Sequence, residues 1–526
     1  MSLENRLNMM EDHLRNSKNI IIMPFHLNSV LLFHSLSCKG IQVISFWDNN
    51  ISLNGRLYEG TSITLPPHAE SLNEEVAVIV YYKDFEQEIT KQLFDLGYSN
   101  VISAHDLNLD ETLDHFGSIN LENLIRINPR FKKYKRKLYI YSKIHTPMKK
   151  PTEMLKIISD EFCKRGKKPK ARKILLLSHE LGINGAPIAL QNAANAIAEV
   201  GDIPILCCRM EGSLLETLRT EGIPVLIDIL LMESDFFMQL VSLCDIVIVN
   251  TFTNQSLKAI KILNGLSIPV LWWVHEGDMG FAHVQIDKFP PIFEKNIHIY
   301  CVGKYSINSL SIFHADISAR ILLYGIVDFY SGDRISSSER LSIMTIGKIG
   351  IRKGQDTLCD AIRKMDDSIR KKCEFVFVGK EVFNEPVYEN VVALKNEFPN
   401  NVTIIGEVER DKISELLCMC DCMVCASRDD PMPIFITEAM MFHKIVICSE
   451  NTGFKYLIED GVNGFIYSPN NADELCSKLE HYVKNSAGFS IMKNNSRKTY
   501  ENNFSFSIFR NNLIEILDMI ERNNSI

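Results

Sequence analysis

The chain has no apolar run able to cross a bilayer: its longest stretches, such as IPVLWWV over Ile268–Val274, fall far short of the roughly 20 residues required. The amino terminus, MSLENRLNMMEDHLRNSKN, is polar and amphipathic and lacks the apolar core of a secretory signal. Its fourteen cysteines are accordingly read as reduced thiols of a cytoplasmic protein, not as a disulfide framework. A surplus of basic charge is missing as well: 57 Lys and Arg against 65 Asp and Glu leave a net charge of -8, which argues against nucleic-acid binding. There is no low-complexity segment and no short internal repeat. What the chain has is length, 526 residues with 46% apolar composition, enough for about three domains with cores of their own.

Short β-branched runs alternate with helical segments, the rhythm of parallel sheets covered by helices on both faces, so the fold class is α/β. Three blocks separate. The first contains NIIIMP, IQVISFWD, VAVIVYY and NVISA and is placed at residues 1–115; the second contains KILLLS, IPILCC, DIVIVN and IPVLWWV and is placed at 172–335. The third contains LSIMTIG, CEFVFVG, NVTIIG, DCMVCAS and KIVICS and is placed at 336–500, with a terminal helix at 501–526. Residues 116–171 are expected to form a basic helical linker. Within residues 126–173 the runs RFKKYKRKLYIYSK and KRGKKPKARK are either a solvated domain boundary or a patch that meets an anionic membrane face.

Ligands of open α/β sheets bind beyond the carboxyl ends of the strands, so the loops there carry the chemistry. After KILLLS comes HELGINGAPIAL, whose Gly182 and Gly185 allow close backbone approach before a helix start that favours an anion. After LSIMTIG comes GKIGIRKG, where Lys348 and Lys353 are either two surface lysines or a pair suited to a diphosphate. After DCMVCAS comes SRDDPMPIFITEAM, which places Asp430 on the loop and Glu438 inside the next helix, two acids able to accept hydrogen bonds from sugar hydroxyls. The plainer role for Asp429 or Asp430 is to cap that helix.

Together, HELGINGAPIAL, GKIGIRKG and the stretch from NVTIIGEVERDK through SRDDPMPIFITEAM to NTGFKYLIEDGVNGFIY resemble the family-4 retaining glycosyltransferases, over roughly Arg172 to the carboxyl terminus. The resemblance implies the GT-B fold: two facing Rossmann-like domains, the carboxyl-terminal one holding a nucleotide-sugar, with a last helix crossing back. It assigns Asp430 to the donor sugar and Glu438 to the ribose, Lys348 and Lys353 to the leaving diphosphate, and His275 in WWVHEGD to the reacting sugar. Gly185, Met432 and Ile434 complete the donor site. It implies a metal-independent hexosyltransferase with no cofactor, whose acceptor is a glycan, a glycoprotein or a lipid-linked saccharide. The missing signal segment points to the cytoplasm and the basic run 126–173 to contact with the inner membrane face, while a homo-oligomer or a transferase complex stays open. The chain departs from the family pattern where Asp430 replaces a glutamate, where Pro431 and Pro433 replace glycines, and at Thr452 and Tyr456. Those departures motivate the alternative of a catalytically silent scaffold or regulatory subunit.

Two further patterns are weighed. CMCDCMVC clusters Cys418, Cys420, Cys422 and Cys425, which would suggest a metal, but the segment reads as a helix end followed by a strand that sends Cys422 and Cys425 to opposite faces. The first block has a dinucleotide-fold rhythm and ends its second strand at Asp48, yet its first turn, MPFHLNS, has no glycine where G-x-G-x-x-G belongs. It is read as a degenerate Rossmann-like domain used for contacts; the alternative is a nicotinamide-dependent oxidoreductase.

Overall fold

The computed structural model describes residues 19–38, 41–69, 76–81, 86–103, 124, 126–134, 136–140, 143–145, 151–163, 171–229, 231–233, 235–282, 292–313, 317–330, 332, 340–382, 385–408 and 410–524. The chain divides into two compact units, one of Met1–Lys137, His145–Pro151 and Asp228–Gln239, the other of Leu138–Ile144, Thr152–Ile227 and Leu240–Ile526.

In the first unit a sheet runs in the order Arg56–Tyr58, Thr61–Thr64, Val43–Trp47, Ile20–Met23, Ala77–Val80, Val101–Ser103. All neighbours are parallel except the hairpin of the first two strands. The central strands Ile20–Met23 and Ala77–Val80 are buried at every position, as strands covered on both faces must be.

The second unit contains two further sheets. One runs in the order Arg320–Ile321, Ile297–Cys301, Val270–Val274, Ile246–Asn250, Lys173–Leu177, Ile203–Cys208, Val225–Ile227, Lys137–Ile140, Lys143–His145. The other runs Val402–Ile405, Cys373–Val378, Leu341–Ile346, Cys422–Cys425, Ile445–Ser449, Phe465–Tyr467, parallel throughout. Apolar side chains from both sheets, Ile248 and Trp273 on one and Met423 and Cys448 on the other, join a single buried core with Phe435, Phe504 and Phe509. This is the expected α/β, GT-B arrangement of two facing Rossmann-like domains.

The stretch expected to be a helical linker is only partly helical. Among the described residues it holds the 3-10 turns Pro129–Tyr134 and the helix Pro151–Cys163, but the basic run ends in the strands Lys137–Ile140 and Lys143–His145. The reason is local: Leu138, Tyr139 and Ile140 form a buried aromatic and β-branched run that pairs at the open edge of the sheet while the lysines flank it. Arg136 lies 3.4 Å over the Phe236 ring and pairs with Asp228 at 2.6 Å, so part of that positive charge is spent internally. Residues 164–170 of the second basic run lie outside the described residues, as does the amphipathic start at 1–18.

At the carboxyl end the Phe504 and Ser505 amides both close on the Tyr500 carbonyl, and a new helix starts at Phe506, later than the expected 501. That helix, Phe506–Asn524, lies against the other half of the unit. Phe509 stacks on Trp273 at 5.7 Å, Arg172 bonds Asp518 at 2.6 Å, and Arg510 bonds Glu199 at 2.8 Å.

Candidate functional site

Counting from Lys173–Leu177 in one sheet of the second unit and from Leu341–Ile346 in the other, the first strand lies between the second and the fourth: Lys173–Leu177 between Ile203–Cys208 and Ile246–Asn250, and Leu341–Ile346 between Cys373–Val378 and Cys422–Cys425. Chain connections leave such a strand pair in opposite directions, which opens a crevice at the carboxyl edge. The loops from both crevices line one cavity of about 950 Å³, within the size of small-molecule sites. All the sequence-predicted residues, Gly185, His275, Lys348, Lys353, Asp430, Met432, Ile434 and Glu438, lie on its wall.

On the carboxyl-terminal side, the loop after Leu341–Ile346 ends at Gly354, whose φ of +64° and approach to the Ala426 carbonyl, 2.2 Å from where a Cβ would stand, admit only glycine without strain. Arg428 ties this loop to the next by a forked pair to Asp356, at 2.8 and 2.7 Å, and a bond to the Ile351 carbonyl. The Lys353 ammonium is thereby carried to the Asp430 carboxylate and donates to Oδ2. Asp430, 7% exposed, is itself pinned: its amide donates to Asn451 and its carbonyl accepts from Gly453. Lys348 is exposed at the mouth. Glu438 sits in the second turn of the helix Ile434–Met441 and is 2% exposed.

Two helix starts open on the cavity without a side-chain cap, Gly185–Glu199 and Ile434–Met441. Asn184 would cap the first, but its side chain donates to Glu180 at 2.5 Å instead. Uncapped amides of this kind favour an anion. The two starts nearly touch, since a Cβ on Gly185 would stand 3.8 Å from Ile434 Cδ1.

The amino-terminal side adds several residues that sequence reasoning missed. His179 and Glu180 follow the first strand, and Thr251, in the loop after the fourth strand, meets His179 Nδ1 at 3.3 Å. The hydrogen bond from His179 foremost, with Asn184 and the charge of Lys348, holds the Glu180 carboxyl below its usual range. His275 follows the strand Val270–Val274, and its Nε2 is sealed without a hydrogen-bond partner. Burial, with the charge of His179 adding, pushes its imidazole down to about 3, so it is neutral near pH 7. Glu276 accepts the His275 amide at 2.9 Å, and burial raises its carboxyl.

Asp429 is not on its own helix. Its carboxylate accepts the amides of Asp278 at 3.1 Å and Met279 at 3.0 Å, and the Tyr305 hydroxyl at 3.0 Å, all on the amino-terminal side. The capping rule identified the right chemistry and the wrong helix. The Met432 side chain likewise lies in this seam, where its Cε would meet a Cβ on Gly303 at 2.7 Å and one on Gly453 at 2.9 Å.

The other patterns separate in space. Cys422 joins one core and Cys425 the other, on opposite faces of the sheet, while the Cys418 thiol donates to Gly332, that of Cys420 to Cys422 and that of Cys425 to Ser427. Burial pushes the Cys420 thiol up to about 12 and that of Cys425 to about 11, the protonated form in which cysteine behaves as a small apolar residue. In the first unit the Asp48 carboxylate is taken by the amides of Phe25, at 3.0 Å, and Asn50, at 2.7 Å. The Phe25 ring packs on Phe46, Tyr58 and Phe131 beside the turn where a dinucleotide fold needs glycine.

Residues 170–292 match the family model described as glycosyl-transferase family 4, and residues 331–501 the one described as glycosyl transferases group 1. Over 233 residues the chain is 25% identical to an uncharacterized glycosyltransferase of Methanocaldococcus jannaschii, covering 42% of this chain and 60% of that protein. Over 151 residues it is 24% identical to alpha-D-kanosaminyltransferase of Streptomyces kanamyceticus, covering 29% and 38%. The matches thus span less than two thirds of these relatives' length. Anabaena HepE, solved in complex with UDP-glucose, superposes with a TM-score of 0.56 at 18% identity, over 66% of this chain and 100% of that one.

Proposed function

We propose, for a chain whose residues 170–292 and 331–501 place it among the family-4 glycosyltransferases of GT-B fold, that the cavity transfers a sugar from a nucleotide-diphosphate donor to a hydroxyl of a glycan, glycoprotein or lipid-linked saccharide, with retention. The observation that carries this is the convergence of Lys348, Lys353, Asp430 and Glu438 with two uncapped helix starts on one cavity.

In this reading the leaving diphosphate lies against the helix starts and the two lysines, which stabilise the charge that develops as its bond to the sugar carbon breaks. Asp430 meets the sugar hydroxyls and Glu438 the ribose. Neutral His275 offers a hydrogen bond at the reacting sugar. The acceptor oxygen bonds to the sugar carbon on the face the diphosphate leaves, and its proton passes to the departing phosphate oxygen. The lysines and helix starts supply the positive charge, so the scheme calls for no metal and no side-chain base; the protein's work is positioning.

A second reading, a silent scaffold, draws on Asp430 being already paired with Lys353 and on the amides that Pro431 and Pro433 lack. Thermal denaturation with a panel of nucleotide-sugars and nicotinamide cofactors decides between the readings, because a ligand of the folded state alone raises the melting temperature. HepE is solved with UDP-glucose, so UDP-sugars head the panel. A shift with one nucleotide-sugar, lost in Lys353→Ala, is expected. No shift with any compound returns the scaffold, and a shift with a nicotinamide cofactor alone moves the chemistry to the first unit.

A further inference from the structure

The adjacent acids Asp429 and Asp430 face opposite ways. Asp430 turns to Lys353 on its own half of the cavity, and Asp429 reaches three donors on the other half: the amides of Asp278 and Met279 and the hydroxyl of Tyr305. Asp429 is 2% exposed. The approach is close enough to dictate a neighbour, since a Cβ on Gly277 would stand 2.1 Å from Oδ1. On the near side the Asp429 carbonyl accepts from Arg352 at 2.8 Å, the residue before Lys353. On the far side the first gripped amide, that of Asp278, lies three residues beyond His275. One short segment therefore joins the lysine loop to the histidine loop.

We propose that Asp429 is a positioning residue: a carboxylate latch that holds the two halves of the cavity in register and so sets His275 against Lys353 and Asp430. This rests on the reading of the cavity as a sugar-transfer site. The carboxylate is gripped by backbone amides and a hydroxyl, partners that water can replace, so the latch can open to admit donor and release nucleotide and reclose over the next donor.

The test compares wild type with Asp429→Ala, Gly277→Ala and Tyr305→Phe. Amide exchange in the segment 277–282 is one readout, and donor turnover on the nucleotide-sugar that shifts the melting temperature is the other. In Asp429→Ala the Asp278 and Met279 amides are expected to exchange at least about tenfold faster while protection of the central strands persists. The turnover number falls about 100-fold, the scale of a slight misplacement at the chemistry, with donor KM within about threefold. Gly277→Ala, which keeps every charge, shows the same pattern, and Tyr305→Phe, which removes one bond of three, a weaker one. Should Asp429→Ala lose global protection, Tyr305→Phe carries the decision. Unchanged exchange in 277–282 overturns the latch, and a loss in KM alone makes Asp429 a donor contact instead. If wild type neither binds nor turns over a nucleotide-sugar, the sugar-transfer reading fails while the exchange comparison still decides whether the latch exists.

Discussion

Lowering the pH should destabilise the second unit through one imidazole. His275 in the folded chain is pushed down to about 3 from its ordinary 6.5, burial being the main cause. Below pH 6.5 the unfolded chain therefore takes up a proton that the folded chain refuses. The stability gained by keeping the ring neutral is complete above pH 6.5 and is lost as pH falls, at about 1.4 kcal/mol per pH unit, until the folded group itself titrates. At pH 5 the loss from this residue reaches about 2 kcal/mol. Urea unfolding of wild type and His275→Gln at pH 7, 6 and 5 isolates it, because carboxylates that titrate elsewhere cancel in the difference. Trp272 and Trp273, buried beside the site, supply a fluorescence signal from this unit. The gap between the two proteins should shift by about 2 kcal/mol in the variant's favour between pH 7 and pH 5. A gap that stays constant would refute a buried neutral His275, and with it the claim that the ring meets the sugar as an uncharged hydrogen-bonding group.

Lys353→Ala leaves Asp430 buried without its cation, which should cost about 3 kcal/mol, near the lower end for broken buried pairs because the pair opens on the cavity. The double variant with Asp430→Ala should recover most of that loss, and a double variant as unstable as the single would show that the pair is not the cause. Phe509→Ala deletes a ring that is 1% exposed and stacked on Trp273, for an expected loss of about 3–5 kcal/mol and a red shift of tryptophan emission. Emission identical to wild type would mean that the terminal helix is not docked there.

The sheets were legible because their strands are buried on both faces and so read as uninterrupted runs: Ile246–Asn250 and Ile445–Ser449 are buried at every position. Lys137–Ile140 was missed for the complementary reason, a strand one place in from the sheet's edge whose short apolar run is overwritten by the lysines around it. That Lys348, Lys353, Asp430 and Glu438 would share one cavity wall was legible because the segments that follow a sheet's strands at its carboxyl edge are named once the strands are. What local rules do not reach is the seam between the halves. Asp429 obeys the preference of aspartate for a helix start, but the start it serves, Asp278–Ala282, lies 150 residues away from Met279 to Asp429, and no spacing rule spans that distance. Gly277, Gly303 and Gly453 are set by the same seam: each stands where a side chain or carbonyl from the 429–432 segment would occupy the space of its Cβ, at 2.1 Å from Asp429, 2.7 Å from Met432 and 1.7 Å from Pro431. Unlike Gly354, none of the three is held at positive φ, so turn chemistry does not demand glycine there; contact across the chain does.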